Sequence, residues 1–130
     1  QGKGDRCLQV GPGDEENREL AREAARHYQN LHYVRGWTWD VQEDVLQWAM
    51  GIDILFIDSW HHYDKAVRDW DTYRPLLSSP ALVVGDDLVN CEPTLHRMVE
   101  FWEEISLPYE SFVTERPNPG NRMGFMRFVR

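Results

Sequence analysis

Two short apolar runs, each ending abruptly on acid, constrain the fold of this chain more than any other feature. Ile52–Ile57 is apolar but for Asp53 and stops at Asp58; Ala81–Gly85 is apolar throughout and stops at Asp86-Asp87. Runs of five or so residues without strict alternation read as strands covered on both faces, the situation of a parallel sheet in an α/β protein. Between them Ala66, Val67, Trp70, Tyr73 and Leu77 recur at helical spacing, with Lys65, Arg68, Asp69 and Asp71 on the water side. Strand, helix and strand make one βαβ unit. Neighbouring strands lie about 4.8 Å apart, so three carboxylates are expected to meet just beyond two C-terminal strand ends. Open α/β sheets bind their ligands at that edge.

The rest of the chain extends this pattern on both sides. Cys7–Val10 reads as a strand ended by Gly11-Pro12-Gly13, and Asp14 with Glu15 and Glu16 suits the start of a helix over 15–27. The Arg/Glu-rich surface of that helix reads as a solvated face. Leu31–Val34 is a second strand. Asp40 and Glu43 form a capping box for a short helix whose buried stripe is Val41, Val45, Trp48 and Ala49. Ser78-Ser79-Pro80 reads as the turn into the strand at Ala81. Pro93 opens a further helix with the stripe Leu95, Met98, Val99 and Trp102. Tyr109–Thr114 and Met123–Val129 alternate around the turn-rich segment 116–121 and predict a hairpin. The expected fold is therefore α/β, a Rossmann-like three-layer sandwich whose mostly parallel sheet ends in an antiparallel hairpin. Its 130 residues suit a single domain, 1–130.

Charge narrows the function. Lys and Arg number 14 against 22 Asp and Glu, a formal net charge of −8, which argues against a general nucleic-acid or anionic-membrane binder. No stretch approaches the roughly 18 apolar residues of a membrane span. Cys7 and Cys91 lie far apart without metal-ligand spacing and read as reduced thiols, so a cytoplasmic location is expected.

The segment from Phe56 to Leu77, FIDSWHHYDKAVRDWDTYRPLL, followed by ALVVGDDL at 81–88, resembles class I S-adenosylmethionine-dependent methyltransferases. The nearest branch is the cephalosporin-hydroxylase-like and sugar O-methyltransferase group. Asp58, His61, Tyr63, Asp64 and Asp69 fall on that group's motif, and Asp58-Ser59-Trp60-His61 with Gly85-Asp86-Asp87 is similar to the metal-binding segments of catechol O-methyltransferases. The likeness is specific over 52–88 and vague before residue 40. It implies a cofactor, S-adenosylmethionine, and a metal, Mg2+ or another hard divalent cation. The family's first βα unit carries a Gly-rich loop for the methionine end of the cofactor and its next strand carries an acid for the ribose. Only one such unit fits before Leu31, so Cys7–Val10 stands for either the first or the second family strand. The chain is then a fragment, part of a longer protein or a degenerate relative, and weak or no cofactor binding by these residues alone is expected.

On this resemblance Asp58, Asp86 and Asp87 are the expected metal ligands. The plainer alternative is that these aspartates cap the helices that follow. His61 stands where catechol-type enzymes keep a lysine, and a neutral imidazole there would act as the catalytic base; a helix-capping histidine is the alternative. Gly11, Gly13, Trp37, Asp58 and Trp60 are the cofactor-binding candidates, with Trp37 and Trp39 offering faces to an adenine ring. Exposed loop tryptophans serve a subunit interface equally well, so a homo-oligomer stays open. The expected activity is a divalent-metal-dependent O-methyltransferase acting on a small hydroxylated molecule, with no nucleic-acid or membrane partner. The alternative is a non-catalytic methyltransferase-like fragment that serves as an assembly module.

Overall fold

The computed structural model describes residues 7–11, 15–28, 31–48, 51–58, 62–88, 97–114 and 122–130. The chain forms two compact units, Gln1–Met50 and Gly51–Arg130.

The first unit is a strand–helix–strand–helix succession: β1 (Cys7–Gly11), α1 (Glu15–His27), β2 (Leu31–Arg35) and α2 (Gln42–Trp48). The strands pair in parallel from Cys7↔Leu31 to Gly11↔Arg35, as a helical crossover between them requires. Ala21, Val34, Val41 and Val45 are buried. The Asp40 amide donates to the Trp37 carbonyl (2.9 Å), closing a turn, and the Val45 amide donates to the Val41 carbonyl (3.0 Å). Val41, not Asp40, therefore stands immediately before α2, and the helix starts one residue later than the expected capping box placed it.

The second unit runs β3 (Ile52–Ile57), α3 (Tyr63–Tyr73), a 3-10 turn at Arg74–Leu76, β4 (Leu77–Gly85), α4 (Met98–Ser106), β5 (Glu110–Val113) and β6 (Gly124–Phe128). Its sheet has the order β3-β4-β6-β5. Strands β3 and β4 are parallel, and β6 is antiparallel to both β4 and β5, which realises the expected βαβ unit and terminal hairpin. Strand β4 begins at Leu77, four residues before the expected start, because the segment read as a turn pairs onward: Leu77 sits opposite Ile52, with a register irregularity before Ile54↔Leu82.

Helices α3 and α4 cover one face of this sheet. Ala66 and Trp70 from α3, Met98, Phe101 and Trp102 from α4, and Ile57, Val83, Met126 and Phe128 from the strands make one core. Each large side chain so buried contributes on the order of 1.5–3 kcal/mol. Phe101 is fully buried although the α4 stripe read from sequence omitted it; Pro93 and Leu95 lie outside the described residues. Two further expectations change. Asp69 is buried at 5 % exposure rather than facing water, and its charge helps push the Tyr73 phenol up to about 12, after burial itself. On β3, Ile54 and Phe56 remain 66 % and 51 % exposed, so the apolar run there marks one covered face and one open one.

The sheet comes closest to α4 at a pair of glycines. Gly85 and Gly124 face each other across β4 and β6, and the Trp102 indole lies over both. A Cβ on Gly124 would stand 2.2 Å from Trp102 Cε2, and one on Gly85 2.9 Å from Cε3. At both positions any larger residue displaces a buried ring.

Candidate functional site

Parallel pairing of β3 with β4 sets Ile57 opposite Gly85, so both strands release their chains at the same level. One further hydrogen bond, Asp86 amide to Ile57 carbonyl at 3.0 Å, ties the two exits together. Asp58 leaves on one side of that bond and Asp86-Asp87 on the other.

Local backbone geometry then sets the carboxylates. Asp87 has φ +50°, a left-handed conformation that Asp adopts at lower cost than most residues. Its amide donates to Asp86 Oδ1 at 2.8 Å, which orients the Asp86 carboxylate. The next residue, Leu88, is buried and its amide donates to the Arg122 carbonyl at 3.0 Å, so the acidic turn is pinned from both sides. Carboxylate oxygens of Asp58, Asp86 and Asp87 lie within 4.8 Å of one another, Asp58 exposed and the other two half-buried.

Three like charges this close repel, and a cation between them reverses that term. The donor set is all carboxylate oxygen, which suits a hard divalent ion over a soft one. With bonds of about 2.1 Å, an octahedral ion sets ligand oxygens roughly 3–4 Å apart. The observed spread is slightly wider, and small side-chain rotations close it. The residues fit such an ion.

The other sequence-derived candidates are distributed differently. Gly11 ends β1 opposite Arg35. Trp37 is 38 % exposed and stacks on Trp39, centroids 5.2 Å apart and 6° from parallel, so the two rings turn faces to each other. Gly13, Trp60 and His61 lie outside the described residues. The structure thus brings together the three aspartates of the second unit.

A polar cluster that ties α3 to α4 escaped the sequence reading. The Tyr63 hydroxyl donates to the Glu104 carboxylate, linking the first turn of α3 to α4. Arg97 lies over the Tyr63 ring at 4.3 Å and grips Glu100 through Nε at 2.5 Å and an Nη at 2.6 Å. The hydrogen bond to Glu104 pushes the Tyr63 phenol up, with burial and the Glu104 charge adding to it. The Arg97 bond draws the Glu100 carboxyl down and, reciprocally, raises the Arg97 guanidinium. Arg97, Glu100 and Glu104 share one helical face by spacing, a signal that was present in the sequence; their meeting with Tyr63 was not.

Residues 1–88 match a protein family described as a methyltransferase domain. Comparison with curated protein sequences gives no match. Among solved structures, the chain is similar to the O-methyltransferase TomG from Streptomyces achromogenes, involved in tomaymycin synthesis and in complex with SAM, at 13% identity and TM-score 0.71, covering 96% of this chain and 62% of that one. It is similar to the O-methyltransferase from Bacillus cereus in complex with SAH, at 13% identity and TM-score 0.67, covering 95% and 63%. Cofactor-bound Rv0187 from MTB is similar at 14% identity and TM-score 0.72, covering 97% and 62%. At these identities the likeness establishes the fold, a Rossmann-like α/β arrangement. The chain spans about 62% of the length of such structures.

Proposed function

The chain belongs to the methyltransferase-domain family, and on that premise we propose that it carries the metal-holding part of an S-adenosylmethionine-dependent O-methyltransferase acting on a small hydroxylated molecule. The observation that carries this reading is the convergence of Asp58, Asp86 and Asp87, whose carboxylate oxygens lie within 4.8 Å of one another. S-adenosylmethionine as cofactor is supported by the family and by the SAM and SAH complexes of TomG and the Bacillus cereus enzyme.

Asp58, Asp86 and Asp87 would hold Mg2+ or another hard divalent cation. Such an ion, when bound, supplies Lewis-acid polarisation of an acceptor hydroxyl. The contribution of the chain itself is threefold. The bond from the Asp87 amide fixes the Asp86 carboxylate in place. Paired strand ends hold Asp58 at a set distance from it. His61, three residues beyond Asp58 in sequence, accepts the hydroxyl proton at an imidazole nitrogen. In the first unit Trp37 offers an aromatic face to an adenine ring.

The test is a calorimetric titration of the 130-residue chain with Mg2+, then with S-adenosylmethionine in its presence. Saturable one-site Mg2+ binding is expected, together with cofactor binding weaker than micromolar, since the sequence carries no full Gly-rich loop for the methionine end. Absence of divalent binding, in titration and in thermal stabilisation alike, would overturn the metal-holding role. Full-strength cofactor binding would instead make Gly11–Gly13 a working loop.

A further inference from the structure

In the first unit, an open groove of about 480 Å³ is lined by Arg18, Arg22 and Arg26 of α1 and by His32, Tyr33 and Arg35 of β2. We infer that this groove binds the di- or triphosphate group of a small molecule, a site separate in chemistry from the acidic cluster. Four of its six lining side chains are guanidinium groups and none is acidic, in a chain whose formal net charge is −8.

The spacing explains how the sequence builds it. Arg18, Arg22 and Arg26 stand four residues apart on α1, hence on one helical face, and span about 12 Å at 1.5 Å per residue. That length suits a row of linked phosphates, and each planar fork can bind phosphate oxygens in pairs. The opposite wall comes from β2. His32 there is set by stacking on Trp48, centroids 3.9 Å apart and 13° from parallel, and Tyr33 adds a second ring. The volume lies in the range of small-ligand sites.

Glutamates do engage the arginines of α1: Arg22 meets Glu19 at 3.3 Å, and Arg26 meets Glu23 at 2.7 Å and Glu19 at 4.0 Å. These pairs are more than half exposed on each side, so each is worth at most about 1 kcal/mol. A phosphate row carrying several charges competes successfully with that. S-adenosylmethionine carries a sulfonium and an ammonium against one carboxylate, so four guanidinium groups repel it; the groove is not the cofactor site. The acidic balance of the whole chain disfavours nucleic acid as the source.

The experiment titrates the whole chain with inorganic tripolyphosphate at low ionic strength, without divalent ions, in a calorimeter. One saturable site is expected, weakening as salt is raised. Arg22→Gln and Arg35→Gln, both exposed positions, should each weaken it about tenfold, the weight of one charge-assisted hydrogen bond. Lys65→Gln in the second unit should leave it unchanged, and circular dichroism checks that every variant is folded. Parallel titration with ATP separates the sources: equal affinity assigns the groove to the phosphate row alone, and tighter ATP binding assigns it to a nucleotide. No saturable binding of either probe, or affinities unmoved by both arginine variants, overturns the proposal. So does an equal loss in Lys65→Gln, which would mean diffuse charge attraction.

Discussion

The acidic cluster of the second unit and the basic groove of the first concentrate opposite charges by different means. Asp58, Asp86 and Asp87 come together because two parallel strands end at the same level and one hydrogen bond locks their exits. Arg18, Arg22, Arg26 and Arg35 come together because a helix repeats every four residues beside a strand. The first arrangement is stiff, rooted in a packed core, with a strained residue and a backbone bond to a carboxylate. The second consists of long side chains held by exposed ion pairs. Ligand binding at strand ends should therefore be all-or-none in each aspartate, and binding at the helix face graded over its arginines.

The largest expected effect tests the stiff site. Asp86→Ala removes the carboxylate that the Asp87 amide orients, and should weaken Mg2+ binding by at least about 100-fold, on the order of 2.7 kcal/mol. Tripolyphosphate affinity in the same variant should not move. A loss of both would mean that the two charge clusters are not independent sites, and a loss of neither would mean that Asp86 does not hold the ion.

Gly124→Ala probes the support under the acids. Its Cβ would meet Trp102 Cε2 at 2.2 Å, and overpacking of this kind costs about 1–3 kcal/mol. Because Gly124 pairs with Gly85, the residue before Asp86, Mg2+ affinity should fall along with the denaturation midpoint. The groove should keep its affinity. A variant as stable as the parent would show that the ring moves aside freely and that the stiffness argued here is absent.

How much of this was legible in the sequence follows from the same contrast. Strand ends announce themselves through apolar runs that stop on charge, so Asp58, Asp86 and Asp87 could be grouped from sequence before any geometry was known. The hairpin and the extent of α1 were equally plain. The arginine face of α1 reads as solvated in the sequence, because its i, i+4 spacing says which residues share a face but not what faces them. Asp69 reads as water-facing for a related reason: its position on the stripe margin leaves burial to the packing of α3. On β3 an unbroken apolar run could not distinguish two covered faces from the one covered and one exposed that Ile54 and Phe56 reveal. Strand β4 began early because Leu77 completes the core even though Ser78-Ser79-Pro80 carries turn chemistry.

Alkaline pH probes the core under the acidic cluster. Burial, and then the Asp69 charge, push the Tyr73 phenol up to about 12. A raised phenol means that the folded state keeps a proton the unfolded state releases near pH 10. Stability is then fully present below pH 10 and falls as pH rises towards 12, by about 1–2 kcal/mol. Urea denaturation at stepped pH should show this limb in the parent, and Tyr73→Phe should flatten it. A limb that survives in Tyr73→Phe would assign it elsewhere.

The smallest effect expected is that of Tyr63→Phe, and it bears most directly on what positions the acids. Removing the hydroxyl deletes the bond to Glu104 that links the first turn of α3 to α4. The groups are solvent-facing, so stability should barely change. The Arg97–Glu100 pair is untouched, and so is the stacking of Arg97 over the ring, since phenylalanine keeps the ring face. If strand pairing sets the cluster, Mg2+ affinity should stay within about twofold of the parent, because Asp58 follows directly on Ile57 and its position is fixed before the chain reaches α3. A tenfold loss of Mg2+ affinity in this variant, with stability barely changed, would mean that α3 and its tie to α4 hold Asp58 in place. The acidic cluster would then depend on a side-chain latch, as the arginine groove depends on its exposed pairs, and the contrast between a stiff site and an adaptable one would be lost.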